Sequence, residues 1–264
     1  RGLVGSEMCI RDSSRLVVLN AKDAAKLGAK IYVNTKVISA KIDDGLWCIE
    51  TKDQTTGKRE VFLSKALINA GGPWVSDIIH NVMRLNTPEK VRLVRGSHIV
   101  VPKIWDHGKC YFFQGNDGRI IFAIPYETDF TLIGTTDIDH IELDEKPHCS
   151  ELEKNYLINL ANQYFDTELK VEDIVWTYSG VRPLQDTSEG NATAVTRDYS
   201  IKVNWENEVP LINIFGGKIT TYRKLSESVL NEVAAFFPKM QGPWTAEAYL
   251  PGGDFPVNGV SDLI

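Results

Sequence analysis

The cations of this sequence and their surroundings point first to phosphate. In the segment IFGGKITTYRK an apolar strand pattern ends at Phe215, passes through Gly216 and Gly217, and enters a helical pattern beginning near Thr220. A helix N-terminus presents unpaired amides and a positive dipole end, and glycines let a ligand approach the backbone. Lys218 adds a full charge at that point. A tight strand-to-helix connection uses the same pair of glycines, so spacing alone leaves both readings open. Arg182 in SGVRPL and Arg197 in VTRDY follow small or β-branched residues. Their planar guanidinium donors suit the paired oxygens of a phosphate, although either could serve in an ion pair with Asp198 instead. His98, in RGSHIVV, is flanked by apolar residues that place it on a strand. A strand histidine is commonly a packing residue, but its ordinary pKa also suits proton abstraction near neutrality.

Other chemistries find little support. His80, His107, His140 and His148 lack HxH or HExxH spacing, so no metal role is assigned. Ser97 and Ser179 lack a nucleophile elbow, and neither a Walker pattern nor a GxGxxG occurs. A net charge of -6 with bases scattered among acids argues against nucleic acid as a partner. The four cysteines form no CxxC pair, which fits a reduced cytosolic setting. No apolar run approaches the roughly 18 residues of a membrane helix.

The elements that must position these residues change character along the chain. The opening RGLVGSEMCIRDS resembles translated adapter sequence and is set aside as a non-native leader, residues 1–13. Helical spacing runs from Arg15 to a stop at Gly28. The stretch AKIYVNTKVISAKIDDGLWCIETKD then reads as two strands around a DG turn, VFLSKALINAGG as further strand, and WVSDIIHNVM as a helix after Pro73. From about Val91 to Asn204 short alternating runs, the last of them YSIKVN, predict a second, largely antiparallel sheet. One helix, about Ser150 to Phe165, interrupts it with Leu152, Tyr156, Leu157, Leu160 and Tyr164 on one face. Aromatic residues between Tyr111 and Tyr126, such as Phe113 and Phe122, read as core. PLINIFGGKITTYRKLSESVLNEVAAFF returns to strand, turn and helix, which suggests one domain inserted in another.

Taken in order, INAGGPWVSD, RLVRGSHIVVP, FAIPYE, LIGTTD, SGVRPL, TRDYS, FGGKITTYRKLSE and LPGGDF resemble the FAD-dependent glycerol-3-phosphate dehydrogenases, from about Ser14 to about Pro256. The resemblance implies an α/β amino-acid-oxidase-like flavoprotein fold: a Rossmann-like FAD domain (14–92 and 205–237) interrupted by an antiparallel substrate domain (93–204), with 238–264 leading to a helical cap. It implies FAD as cofactor and oxidation of sn-glycerol 3-phosphate to dihydroxyacetone phosphate, with hydride passing to the flavin and electrons onward to a quinone. By resemblance Arg197 and Lys218 hold the phosphate, Arg182 polarises the C2 oxygen and His98 accepts the hydroxyl proton. Val37 resembles the residue whose backbone meets adenine, Ala70 and Gly71 line the pyrophosphate side, and Gly217, Lys218, Ile219 and Thr220 meet the flavin ring. Peripheral attachment to the cytoplasmic face of a bacterial membrane is implied in the same way, and a homodimer is compatible with it. The family's GxGxxG unit, which seats the pyrophosphate, is missing, so this chain alone is expected to bind FAD poorly and to be inactive. An amino-acid oxidase of the same fold and a non-catalytic sugar-phosphate-binding module are the alternatives.

Overall fold

The computed structural model describes residues 10–89, 91–141, 146–185, 199–256, 258, 259 and 262. The chain divides into two compact units. One comprises Arg1–Ile68, Lys202–Ile212 and Lys218–Ile264, the other Asn69–Ile201 and Asn213–Gly217.

The first unit opens with α1 (Ile10–Lys26), which begins before the expected Arg15 and ends before Gly28, whose φ of 99° only glycine adopts freely. The expected strand then starts late. Residues 29–34 are irregular, Asn34 turns the chain at φ 53°, and β1 (Thr35–Asp43) follows. β1 and β2 (Leu46–Asp53) form a hairpin whose turn residues, Asp44 and Gly45, both have positive φ, as the DG pair predicts. β3 (Arg59–Ser64) completes a sheet of order β1-β2-β3. Trp47 is fully buried, and its indole N–H donates to the Pro210 carbonyl at 3.0 Å.

The second unit is built on a six-stranded sheet. Its strands are β5 (Val91–Pro102), β6 (Tyr111–Gln114), β7 (Ile120–Tyr126), β8 (Phe130–Gly134), β9 (Ile138–Asp139) and β10 (Trp176–Gln185). They lie in the order β10-β5-β8-β7-β6, with β9 also on β5, and every pair is antiparallel. One face packs Ile99, Val101, Phe113, Ile121, Ala123 and Ile133 against Leu157, Ile158 and Leu160 of the helix α3 (Glu151–Ala161). Phe113 is core as expected, whereas Phe112 is exposed.

The helix between these strands was expected to turn Leu152 inward. Leu152 is 83% exposed, and the buried neighbour is Glu153. A capping box explains the phase: Ser150 caps the helix, and Glu153 at the third helical position turns back to accept the Ser150 backbone N–H. Tyr164 lies beyond the helix end, half-exposed, and stacks on Phe113 at 4.6 Å.

Two further expectations need correction. The run after Pro73 is not a regular helix but a 3-10 turn (Gly72–Trp74), a single turn α2 (Val75–Asp77) and a π turn (Ile78–Val82). Asn69 takes the Val75 carbonyl at 3.0 Å, and the ladder slips so that Met83 N–H bonds Ile78 five residues back. YSIKVN does not join the six-stranded sheet. It forms β11 (Tyr199–Glu206) in a separate sheet of order β11-β12-β4, with β12 (Val209–Gly216) and β4 (Leu67–Asn69). Alternation marks a strand without naming its neighbour. α4 (Tyr222–Val233) follows β12. Among the described residues no helix is long and apolar enough to cross a membrane.

Candidate active site

Successive residues of β5 point to opposite faces of the six-stranded sheet. Arg95, Ser97 and Ile99 face α3, so Gly96 and His98 face away. On that second face the register sets Tyr178, His98, Gly134, Phe122 and Phe112 in one row across five strands. The glycine in this row has a use. A Cβ on Gly134 would fall 2.1 Å from His98 Cδ2, so the imidazole rests on bare backbone. From the other side Tyr178 stacks on it, with ring centroids 4.8 Å apart.

His98 is thereby fixed but not hydrogen-bonded. Its Nδ1 is buried with no partner among the described residues. Burial, and secondly the charge of Arg182, bring its pKa down to about 4, so the ring is neutral at pH 7. A neutral imidazole can accept a proton, and because Nδ1 is enclosed the nitrogen open to a ligand is Nε2.

Arg182 stands on the adjacent strand β10 and folds back over Gly96, where a Cβ would lie 2.3 Å from its Nη2. Its guanidinium donates to Asp137 Oδ1 at 2.6 Å, to Thr135 Oγ1 at 2.9 Å and to the Thr136 carbonyl at 3.3 Å. Those three acceptors belong to the turn leaving β8 and fix the direction of the fork. Gly96 pairs with Gly180, and a Cβ on Gly180 would meet no atom within 4 Å. Between Tyr178 and Arg182, then, the sheet offers an open floor free of side chains. A small ligand lying there would meet a fixed cation and a neutral base.

The other residues named from the sequence sit in different settings. Arg197 lies outside the described residues. Lys218 and Gly217 are exposed, after Gly216 and Gly217 turn the chain at φ 71° and 104°. Lys218 caps a 3-10 turn (Ile219–Thr221), so α4 begins at Tyr222, slightly later than expected, and the Thr221 N–H and hydroxyl both bond the Lys218 carbonyl. Ile219 and Thr220 are half-buried in that turn. Val37 is exposed beside a bulge between Val37 and Ser39. Ala70 is exposed, and Gly71 donates to Asn69 Oδ1 at 3.2 Å in a turn where a Cβ would strike Ile78.

His98 and Arg182 are thus brought together on one face of one unit, whereas Lys218 and Val37 belong to the first unit. Reasoning from the sequence missed Asp137, Thr135, Gly96, Gly134 and Gly180. The GTTD run carried Asp137, Thr135 and Gly134, but with no sign of what they would meet.

A family model described as FAD dependent oxidoreductase matches residues 2–204. The chain belongs to that family, whose cofactor is FAD.

Individual relatives sharpen the likeness. The chain is 46% identical over 246 residues to a D-erythritol 1-phosphate dehydrogenase of Brucella abortus, covering 93% of this chain and 49% of that protein. It is 42% identical over 246 residues to the aerobic glycerol-3-phosphate dehydrogenase of Escherichia coli, with the same coverage of 93% and 49%. The solved glycerol-3-phosphate dehydrogenase of Bacillus halodurans, complexed with FAD, superposes with a TM-score of 0.77 at 30% identity, over 90% of this chain and 46% of that one. The chain therefore spans about half the length of the relatives it matches.

Proposed function

We propose that the protein carrying this chain oxidises the C2 hydroxyl of sn-glycerol 3-phosphate, giving dihydroxyacetone phosphate. The observation that supports this most is Arg182, clamped over the glycine floor beside neutral, unpartnered His98. The names of the relatives supply the substrate class. FAD, when bound, supplies the acceptor for the hydride that leaves C2.

The chain's own residues do the rest. As the hydroxyl proton is removed, negative charge gathers on the C2 oxygen, and it is spent in forming the ketone as hydride leaves C2. A guanidinium already held by Asp137 and Thr135 stabilises that charge with little reorganisation. His98 takes the hydroxyl proton. In the empty site its pKa of about 4 makes it a weak base, and a phosphate ester brought close opposes the Arg182 contribution and raises it. Arg197 and Lys218 bind the phosphate, whose charge calls for more than one cation.

The cofactor reading draws support from the backbone at glycines. Gly216, Gly217 and Gly72 have positive φ beside the residues expected to meet it, so the chain can turn there with no side chain in the way. Val37 would hold the adenine, Ala70 and Gly71 the pyrophosphate, and Gly217, Lys218, Ile219 and Thr220 the ring. In this reading residues 14–92 and 205–237 form part of the FAD domain and 93–204 the substrate domain. A quinone takes the electrons onward at the inner face of a bacterial membrane.

A second substrate has a specific observation behind it, the 46% identity to a D-erythritol 1-phosphate dehydrogenase. Both compounds are polyol phosphates with a secondary alcohol, whereas nothing among the named relatives favours an amino acid. The test uses a protein of the relatives' full length carrying this chain, with dye reduction measured on each substrate. A higher kcat/KM for glycerol 3-phosphate is expected. A higher value for erythritol 1-phosphate transfers the assignment to the longer polyol, and turnover of amino acids alone overturns both.

A further inference from the structure

Behind the floor that carries Arg182 and His98 lies a buried carboxylate with more hydrogen bonds than a helix cap needs. The Glu153 side chain is 1% exposed. Its Oε2 performs the capping, accepting from the Ser150 N–H at 2.9 Å and the Ser150 hydroxyl at 2.8 Å, and also accepts from Arg95 Nη2 at 3.0 Å. Its Oε1 serves no cap. It accepts from Ser97 Oγ at 2.7 Å and from Thr136 Oγ1 at 2.6 Å, two hydroxyls on different parts of the sheet.

These two residues are the immediate neighbours of the site. Ser97 stands between Gly96, under the Arg182 guanidinium, and His98. Thr136 stands between Thr135 and Asp137, which both bind Arg182, and offers its own carbonyl to the same guanidinium. A carboxylate can only accept, so both hydroxyl protons must point at Oε1. That choice propagates. Thr136 Oγ1 is left to accept from the Ser97 N–H at 2.9 Å, and Ser97 Oγ to accept from Ser179 Oγ at 2.7 Å, on the strand that carries Arg182. One charge on α3 therefore sets the direction of the hydrogen bonds that lock β5, β10 and the turn after β8 to one another.

The geometry points to Glu153 as a positioning residue: through Ser97 and Thr136 it fixes Arg182 and His98 relative to each other, and so acts on the chemical step without touching substrate. This rests on the proposed oxidation. The phosphate end of the substrate is left to Arg197 and Lys218, so the role concerns turnover rather than affinity. The alternative is a purely structural carboxylate that only caps α3 and neutralises Arg95.

Two substitutions separate these roles. Glu153→Asp keeps the charge and can still reach its own N-cap Ser150, but it is one methylene too short to serve the Ser97 and Thr136 hydroxyls as well. Ser97→Ala removes one link and leaves the cap intact. Both are made in a full-length, flavin-loaded protein, and steady-state kinetics with glycerol 3-phosphate are measured beside thermal unfolding and flavin content. The expected result is a kcat lowered about tenfold to a hundredfold, as small misplacements of catalytic groups produce, with KM within about twofold of the parent and flavin content unchanged. A kcat within about twofold of the parent, with only the unfolding temperature lowered, overturns the proposal, as does a rise in KM at constant kcat. If Glu153→Asp does not fold, Ser97→Ala decides by the same criteria. Failure of the functional reading would appear separately, as a parent protein that does not turn over glycerol 3-phosphate. The variants are then compared on the substrate it does use.

Discussion

The two faces of the six-stranded sheet are made from alternate residues of the same strands, yet they solve opposite problems. Against α3, the buried carboxylate is matched: Glu153 receives five hydrogen bonds and Arg95 is its ion partner, with Arg95 Nε alone of that group left without an acceptor among the described residues. On the other face His98 keeps an unengaged nitrogen, and three glycines clear the backbone around it and Arg182. Saturated polar groups hold a structure in place but have no capacity left for a ligand. A fixed cation beside bare backbone keeps room for one. Residues 96 to 98 alternate between the two tasks, which lets the closed face hold the open one.

The contrast can be broken most forcefully from the closed side. Glu153→Ala leaves Arg95, Ser97 and Thr136 buried without their common acceptor, and urea unfolding should show a loss of about 3–5 kcal/mol. On the open side Arg182→Met should lower the rate of flavin reduction about a hundredfold to a thousandfold, as loss of a charge-stabilising donor does. Its unfolding free energy should fall by less than that of Glu153→Ala, because the ion pair broken is that with Asp137. Equal effects of the two substitutions on stability would erase the distinction between the faces.

Acid should act on both faces in the same direction, in different windows. Burial would raise the Glu153 pKa, but hydrogen bonds from Thr136, Ser97 and Ser150 outweigh it and hold the group at about 2. Its contribution is complete above its ordinary 4.5 and is lost as pH falls toward 2. His98 is lowered from 6.5 to about 4, so between those values the unfolded chain binds a proton that the folded one does not, and stability falls as pH drops. Urea midpoints between pH 7 and pH 4 should therefore decline, and His98→Asn should flatten that limb while leaving the decline below pH 4. An unchanged limb in the variant would contradict the buried neutral imidazole.

The smallest change tests the floor itself. Gly180→Ala adds a methyl group that meets no atom of the chain within 4 Å. The unfolding midpoint should hold, while KM rises severalfold if the methyl intrudes on the floor proposed for the substrate. An unaltered KM would place the substrate elsewhere on the sheet.

What the residues revealed in advance followed from how local each signal was. The DG hairpin was legible because both turn residues must take positive φ, and the dipeptide states that without help from the rest of the chain. The helix at 151–161 was legible by its period, but Leu152 was put on the wrong side and the buried Glu153 went unremarked. Periodicity treats a carboxylate as a surface group, and only the partners Ser97 and Thr136, far away in sequence, reverse that. β11 was seen as a strand and put in the wrong sheet for a similar reason. In the site, His98 and Arg182 were identifiable from residue type and motif. The glycines beneath them were not, because a close approach across strands leaves no trace in spacing. Asp137 was visible within GTTD, and its role appeared only once β10 stood beside the turn that holds it.

The central claim is that the Arg182 and His98 face is where a polyol phosphate gives up its C2 hydride. A protein of the relatives' full length carrying this chain, loaded with FAD and mixed anaerobically with sn-glycerol 3-phosphate, tests it in one spectrum. The oxidised-flavin absorption should bleach within the mixing experiment in the parent and persist far longer in Arg182→Met. A flavin band untouched by substrate in the parent, or bleached equally fast in the variant, would contradict the assignment of this face to the chemistry.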